Sequence, residues 1–177
     1  MIRQFPLAAA LVCLAAALAP ATTFSHETTG DLVVRARQVC CVSCEEVEAR
    51  RDPVSGLVFT HVRLRLLEDI KGRAAASSIR LRIVGGRAGG VETKTLGMPT
   101  FRPGEESILL LGPANSRGYP VLLQARRGVL SLKRDKRGGR YVVTRVSGIP
   151  ELRGKRHVTL DAFRGAVKRL ERKARPK

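Results

Sequence analysis

Hydrophobic and polar residues alternate along most of this chain, and the period of the pattern changes only near the end. The clearest stretch is 58–66. Val58, Thr60, Val62, Leu64 and Leu66 fall on one side of an extended chain, and His61, Arg63 and Arg65 on the other, as a half-buried strand requires. Upstream, Leu32-Val33-Val34 opens a β-branched run that continues through Val39, Val42 and Val47. Asp52-Pro53-Val54-Ser55-Gly56 then supplies turn chemistry, so the two runs predict a hairpin. Ser78–Ile83 alternates again, and Ile108-Leu109-Leu110-Leu111 is apolar on both faces, like a central strand. Tyr119 to Ala125, Val129 to Leu132 and Tyr141 to Val146 follow between glycine-bearing turns. The pattern predicts an all-β barrel or sandwich. From Leu160 the spacing becomes helical, through Phe163, Val167, Leu170 and Ala174, with Thr159 or Asp161 able to cap the start. This amphipathic C-terminal helix is expected to dock on one end or face of the barrel.

The N-terminal segment reads differently. Arg3 lies just before an unbroken apolar run from Leu7 to Ala19, and Ala19-Pro20-Ala21 places small residues where a signal peptidase reads them. Residues 1–21 are therefore expected to be a secretory signal peptide, leaving a secreted or periplasmic chain from about Thr22. No later stretch approaches ~20 apolar residues, so no transmembrane segment is expected in the mature chain. Export permits disulfides, and Cys40, Cys41 and Cys44 follow within five residues. A local bridge to Cys44 plus one buried thiol is the expected arrangement. His26, His61 and His157 are scattered singly, so neither a metal site nor a cofactor is predicted.

Charge changes the picture of partners more than of fold. Thirty-three Lys and Arg against 15 Asp and Glu give a net charge of +18, while aromatic residues make up only 4%. Alternation places Arg63 and Arg65 on one solvated side, and Arg80 and Arg82 do the same around Leu81 and Ile83. If their strands are neighbours, four guanidinium groups share a face with little opposing charge. With Lys168, Arg172 and Lys173 of the terminal helix, they form a candidate polyanion-binding set. The scarcity of aromatics disfavours base-stacking recognition of nucleic acid. Glu46 and Glu48 share a strand face while Glu45 points away, which suits a solvated patch or arginine partners better than an acid–base pair. Gly85, Gly86, Arg87, Gly89 and Gly90 begin a connection lasting to about Gly104, long enough to be a binding loop. A β-like run follows these glycines where a phosphate cradle needs a helix, and no hydrolase or P-loop motif occurs. No catalytic residue is assigned.

Several phrases together resemble a group of secreted bacterial domains. These are Asp31 to Val34, Gly56 to Thr60, Leu67-Glu68-Asp69-Ile70-Lys71-Gly72, Leu81 to Gly90, Met98-Pro99-Thr100-Phe101-Arg102-Pro103-Gly104-Glu105, and Ile108 to Leu111. The resemblance spans about residues 31–145. It implies an OB-like barrel of about 5–7 strands, similar to the netrin module of tissue inhibitors of metalloproteinases, over residues 31–146. A basic helix and tail over 151–177 completes the expected organisation. Those inhibitors chelate a protease zinc with an N-terminal cysteine, whereas the first cysteine of the expected mature chain is Cys40, inside a strand. No inhibitory residue is therefore carried over. The expected function is a secreted, non-catalytic interaction domain that meets a protein partner through the barrel face and the 85–104 loop. Electrostatic binding of an acidic envelope polymer or nucleic acid is the alternative, and a metalloprotease inhibitor-like module the second alternative.

Overall fold

The computed structural model describes residues 27–73, 76–143, 145–155 and 157–174; the expected signal peptide lies outside them. The protein is mostly β-sheet with a C-terminal helix. Its strands are β1 (Gln38–Arg51), β2 (Val58–Lys71), β3 (Ser78–Val84), β4 (Gly86–Ala88), β5 (Val91–Thr93), β6 (Glu106–Ala114), β7 (Pro120–Leu122), β8 (Val129–Arg134), β9 (Arg140–Val142) and β10 (Val158–Thr159). Helix α1 (Thr29–Arg35) precedes them and α2 (Leu160–Ala174) ends the described chain. No described helix is long and apolar enough to cross a membrane.

The principal sheet runs β10-β9-β8-β6-β1-β2-β3, all antiparallel. β6 pairs with β8 through Ser107–Leu109 and with β7 through Leu111 and Ala114, so the sheet forks there. Each branch encloses its own core. Val39, Cys41, Ile108, Leu110, Leu130, Leu132 and Val142 join Leu32 and Val33 of α1 and Leu160, Phe163, Ala166 and Val167 of α2. On the opposite face Cys40, Val42, Cys44, Val62, Leu64, Leu81, Ile83, Leu109 and Leu111 pack with Phe101. The alternation expected over 58–66 holds, with Val58, Val62 and Leu64 buried and Arg63 and Arg65 exposed.

Three expectations are corrected. The sheet does not close into a barrel. β3 and β7 lie side by side with no ladder between them, along a seam lined by Leu81, Ile83, Pro120 and Leu122. β7 has only three residues and starts with a proline, which has no N–H to donate, so it offers little to close on. Residues 32–34, expected to open a strand, belong to helix α1. The Thr28 hydroxyl accepts from the Asp31 N–H (3.2 Å) while the Asp31 carboxylate accepts from the Thr28 N–H (2.8 Å). This capping box satisfies donors at the helix start, and Lys71 Nζ donates to the carbonyls of Val33 (2.8 Å) and Val34 (2.7 Å) near its end. Finally, no local disulfide forms: Cys40, Cys41 and Cys44 are all free and buried. Cys41 faces the first core and Cys40 and Cys44 the second. Four residues along a strand separate the latter pair by roughly 13 Å, far beyond bridging reach.

Candidate functional site

Two surfaces carry the residues singled out by sequence. The first is the outer face of β1–β3. Where α1 and α2 cover this face it is apolar (Val39, Cys41); beyond them it carries Glu46 and Glu48 of β1, His61, Arg63 and Arg65 of β2, and Arg80 and Arg82 of β3. The structure thus brings the four arginines together. Arg63 stands opposite Arg80, and His61 opposite Arg82. The Leu66 N–H donates to Ser77 O (2.8 Å) and the Gly85 N–H to Val58 O (2.9 Å). Counting inward from these bonds places both pairs at non-hydrogen-bonded positions, where facing side chains approach most closely.

The expectation of little opposing charge is overturned. Glu45 occupies a bulge, since Cys44 pairs with Leu64 and Glu46 with Arg63. The extra residue turns Glu45 onto the arginine face instead of away from it. Arg63 meets Glu45 at 3.2 Å and Glu46 at 3.0 Å, and Arg65 meets Glu45 at 3.7 Å. Arg82 pairs with Asp52 from the β1–β2 turn and lies over the Phe59 ring at 3.7 Å. The Ser55 N–H donates to Asp52, and this bond leads the effects that hold its carboxyl below the usual range. Arg80 alone of the four has no ion pair among the described residues. Three of the four are thus already neutralised, which suits an extended polyanion contact poorly.

The β6–β7 hairpin leans over this face. Tyr119 packs edge-on to His61 at 6.4 Å between ring centroids, and Arg117 reaches Asp52 at 3.7 Å. A cleft of about 320 Å³ is lined by Glu46, Glu48, Arg50, His61, Arg63, Arg80 and Tyr119. A second, of about 430 Å³, shares Arg50, His61 and Tyr119 and adds Phe59, Arg82 and Arg117. Burial first, then Arg50 and Arg82, hold the His61 imidazole below its ordinary pKa. Tyr119 could not have been assigned here from local pattern, because the hairpin brings it across from β6. Lys168, Arg172 and Lys173 stand exposed on α2 and line neither cleft.

The second surface is the 85–104 connection. Its glycine-rich start is an ordered hairpin: β4 pairs β5 across Gly89-Gly90, both at positive φ as a tight primed turn requires. The Thr60 hydroxyl donates to Gly85 O (2.6 Å), and a Cβ on Gly86 would lie 2.7 Å from that hydroxyl. Arg87 is paired with Glu92 (3.4 Å). The exposed feature follows, at Leu96–Thr100. Leu96 is 100% exposed, whereas Phe101 is buried in the second core. The segment is held on both sides: the Val58 N–H donates to Thr93 Oγ1 (2.9 Å), the Arg126 N–H to Gly97 O (3.0 Å), and the Gly104 N–H to Cys44 O (2.8 Å). It forms a ridge between two clefts. One, of about 470 Å³, lies against Val47, Thr60 and Ile83; the other, of about 800 Å³, lies against Gln124, Arg126, Arg127 and Val129. On the far wall, Gln124 (φ 51°) and Ala125 (φ 48°) are consecutive left-handed non-glycine residues, a strained arrangement of the kind that concentrates at functional sites. The sequence signal for the ridge was Leu96 itself, an apolar residue set in Lys-Thr-Leu-Gly-Met-Pro within a long connection.

The cysteines are poor candidates for chemistry. Burial pushes the Cys40 thiol up to about 12 and the Cys41 thiol up to about 11, the reverse of what a reactive thiolate needs. Among the described residues, no group of three or more His, Cys, Asp or Glu could hold a metal ion. Comparison with protein-family models and with curated proteins finds no match to this chain.

Proposed function

We propose that this protein is a secreted, non-catalytic interaction domain that grips a protein partner through the 85–104 loop, with the Leu96–Thr100 ridge as its centre. One observation carries the reading: Leu96 is fully exposed at the apex of a segment anchored on both sides and flanked by the two clefts. A single exposed leucine is ordinary. A leucine on a pre-ordered ridge is a different object, because little conformational entropy remains to be lost when it enters a partner's pocket. Val129 and Met98 offer apolar floor beneath it, and the exposed Arg126 and Arg127 stand at the cleft margin. The complementary surface is therefore an apolar pocket rimmed by acidic groups. The signal-peptide pattern of residues 1–21 supports export.

A photo-crosslinking residue placed at position 96 tests this in the cells that make the protein. Position 54 is the comparison, since Val54 is 91% exposed at the β1–β2 turn. One defined adduct from position 96, lost on Arg126→Glu and absent from position 54, is expected. No adduct from 96, or the same adducts from both positions, contradicts the proposal.

A further inference from the structure

We propose that the cleft between the outer face of β2–β3 and the β6–β7 hairpin binds a phosphate-type dianion, with Arg80 as its principal ligand and His61, Arg63 and Tyr119 around it. This site shares no residue with the clefts beside the ridge and stands independently of the reading given for that loop.

One positive charge of this cleft has no partner among the described residues. The close cross-strand position of Arg63 and Arg80 sets like charges against each other, which costs stability unless an anion intervenes. Arg63 has Glu45 and Glu46, Arg82 has Asp52, and Arg50 has Glu48 (2.6 Å). Each acid lining the two clefts is already engaged in this way, and Asp52 also meets Arg117. Arg80 is left uncompensated among the described residues. The two clefts together present six arginines (50, 51, 63, 80, 82 and 117) against Glu46, Glu48 and Asp52.

The backbone adds donors along the adjoining edge of β3. The bonds flanking the β2–β3 ladder assign Ile79, Leu81 and Ile83 to bonding with β2, so the N–H groups of Ser78, Arg80 and Arg82 face the open edge. No hydrogen bond from the Arg80 or Arg82 N–H to a described residue is formed. Guanidinium, edge amides and the Tyr119 hydroxyl supply more donors than the two oxygens of a carboxylate can use. A tetrahedral dianion matches both their number and the surplus charge.

His61 couples this site to pH. Glu48, Arg50, Arg63, Arg80, Arg82, Asp52 and Tyr119 surround it across β1, β2, β3 and the hairpin. With the cleft empty, burial and the neighbouring arginines favour neutral imidazole. A bound dianion reverses that preference, so binding takes up a proton and strengthens as pH falls.

Titration of the protein with inorganic phosphate, followed by amide NMR shifts and calorimetry, tests the site. Saturable binding that shifts β3 and hairpin amides is expected, weakened about tenfold or more by Arg80→Gln and unchanged by Lys136→Gln, an exposed residue of the β8–β9 turn outside both clefts. Sulfate serves for the pH arm because it stays a dianion throughout. Its affinity should rise between about pH 8 and about pH 5.5, and His61→Gln should abolish that rise. Vesicles of phosphatidylcholine with and without phosphatidic acid distinguish a lipid headgroup from soluble phosphate: Arg80-dependent vesicle binding assigns the former, and phosphate binding without vesicle binding the latter. Absence of saturable phosphate binding, or binding indifferent to Arg80→Gln, overturns the proposal. A pH response that survives His61→Gln overturns the role of His61.

Discussion

Replacing Phe163 with alanine probes how firmly α2 is built into the core. Its side chain is 0% exposed and belongs to the cluster that joins α2 to α1 and to β1, β6, β8 and β9. Removing a fully buried phenyl ring costs about 3–5 kcal/mol, of which the residual cavity sets the spread. Collapse into that cavity is restricted here. The capping box and the two Lys71 bonds hold α1 on one side, and the ladder holds the sheet on the other. The upper half of the range is therefore expected, with the thermal midpoint lower by roughly 8–20 °C for a protein of this size. Gly165→Ala on the same helix should act in the opposite direction. An added Cβ would meet only the Arg169 guanidinium at 3.5 Å, so the gain in helix propensity, up to about 1 kcal/mol, is kept. Urea unfolding with an unchanged slope is the assay for both. A cost below about 1 kcal/mol for Phe163→Ala would contradict this packing, since no well-packed buried ring is lost so cheaply. Destabilisation by Gly165→Ala would refute the account of the helix.

Three further outcomes are expected. Gly148→Ala should destabilise by about 2 kcal/mol or more, because Gly148 has a φ of 72° and its Cβ would lie 1.9 Å from the Thr28 hydroxyl that caps α1; an unchanged unfolding midpoint would contradict the packing. Cys40, Cys41 and Cys44 should resist alkylation in the native protein, and all three should react without reductant once it is unfolded. A single reactive thiol in unfolded, unreduced protein would restore the local bridge. Acid should destabilise in two stages. His61 has a depressed folded pKa, so the unfolded chain takes up its proton first and stability falls as pH drops through about 6.5 and below. Asp31, held low chiefly by the Thr28 hydroxyl, and Asp52, held low chiefly by the Ser55 N–H, contribute stability above about pH 4 that is lost below it. Equilibrium unfolding across pH should show the upper limb vanish in His61→Gln and not in Asp31→Asn.

Strand β2 and helix α2 were legible because each buries one face continuously, so the solvent contrast imposes a clean period. Helix α1 was misread because the β-branched Val33 and Val34 favour strands intrinsically, while the Thr28-x-x-Asp31 spacing that decided the matter lay just upstream. The free cysteines could have been read from the strand geometry, since Cys41 and Cys44 must face opposite sides and Cys40 and Cys44 lie four residues apart. Other features had no local signature. The bulge that swings Glu45 onto Arg63 belongs to the pairing of two strands, not to either alone. The Asp52–Arg82 pair joins a turn to a strand 30 residues away. The open seam follows from the shortness of β7 and from Pro120, and the run Tyr119 to Ala125 reads as a longer strand than it forms. Of the loop expected to bind, the glycine-rich half proved to be a packed hairpin, and the exposed apex lies several residues later.

The ridge carries the functional reading, and its affinity for the protein crosslinked from position 96 tests that reading most directly. Leu96 is fully exposed, so its replacement by serine leaves folding intact. Burial of a leucine at an interface centre is worth about 1.5–3 kcal/mol, so Leu96→Ser should weaken binding roughly tenfold to a hundredfold, mainly through faster dissociation. Raising salt from low to moderate should weaken the wild-type affinity modestly, through the Arg126 rim contact, and not steeply, because the contact is centred on apolar surface. An affinity indifferent to Leu96→Ser, with a steep decline in salt, would contradict the account and return the protein's positive charge to the centre of its function.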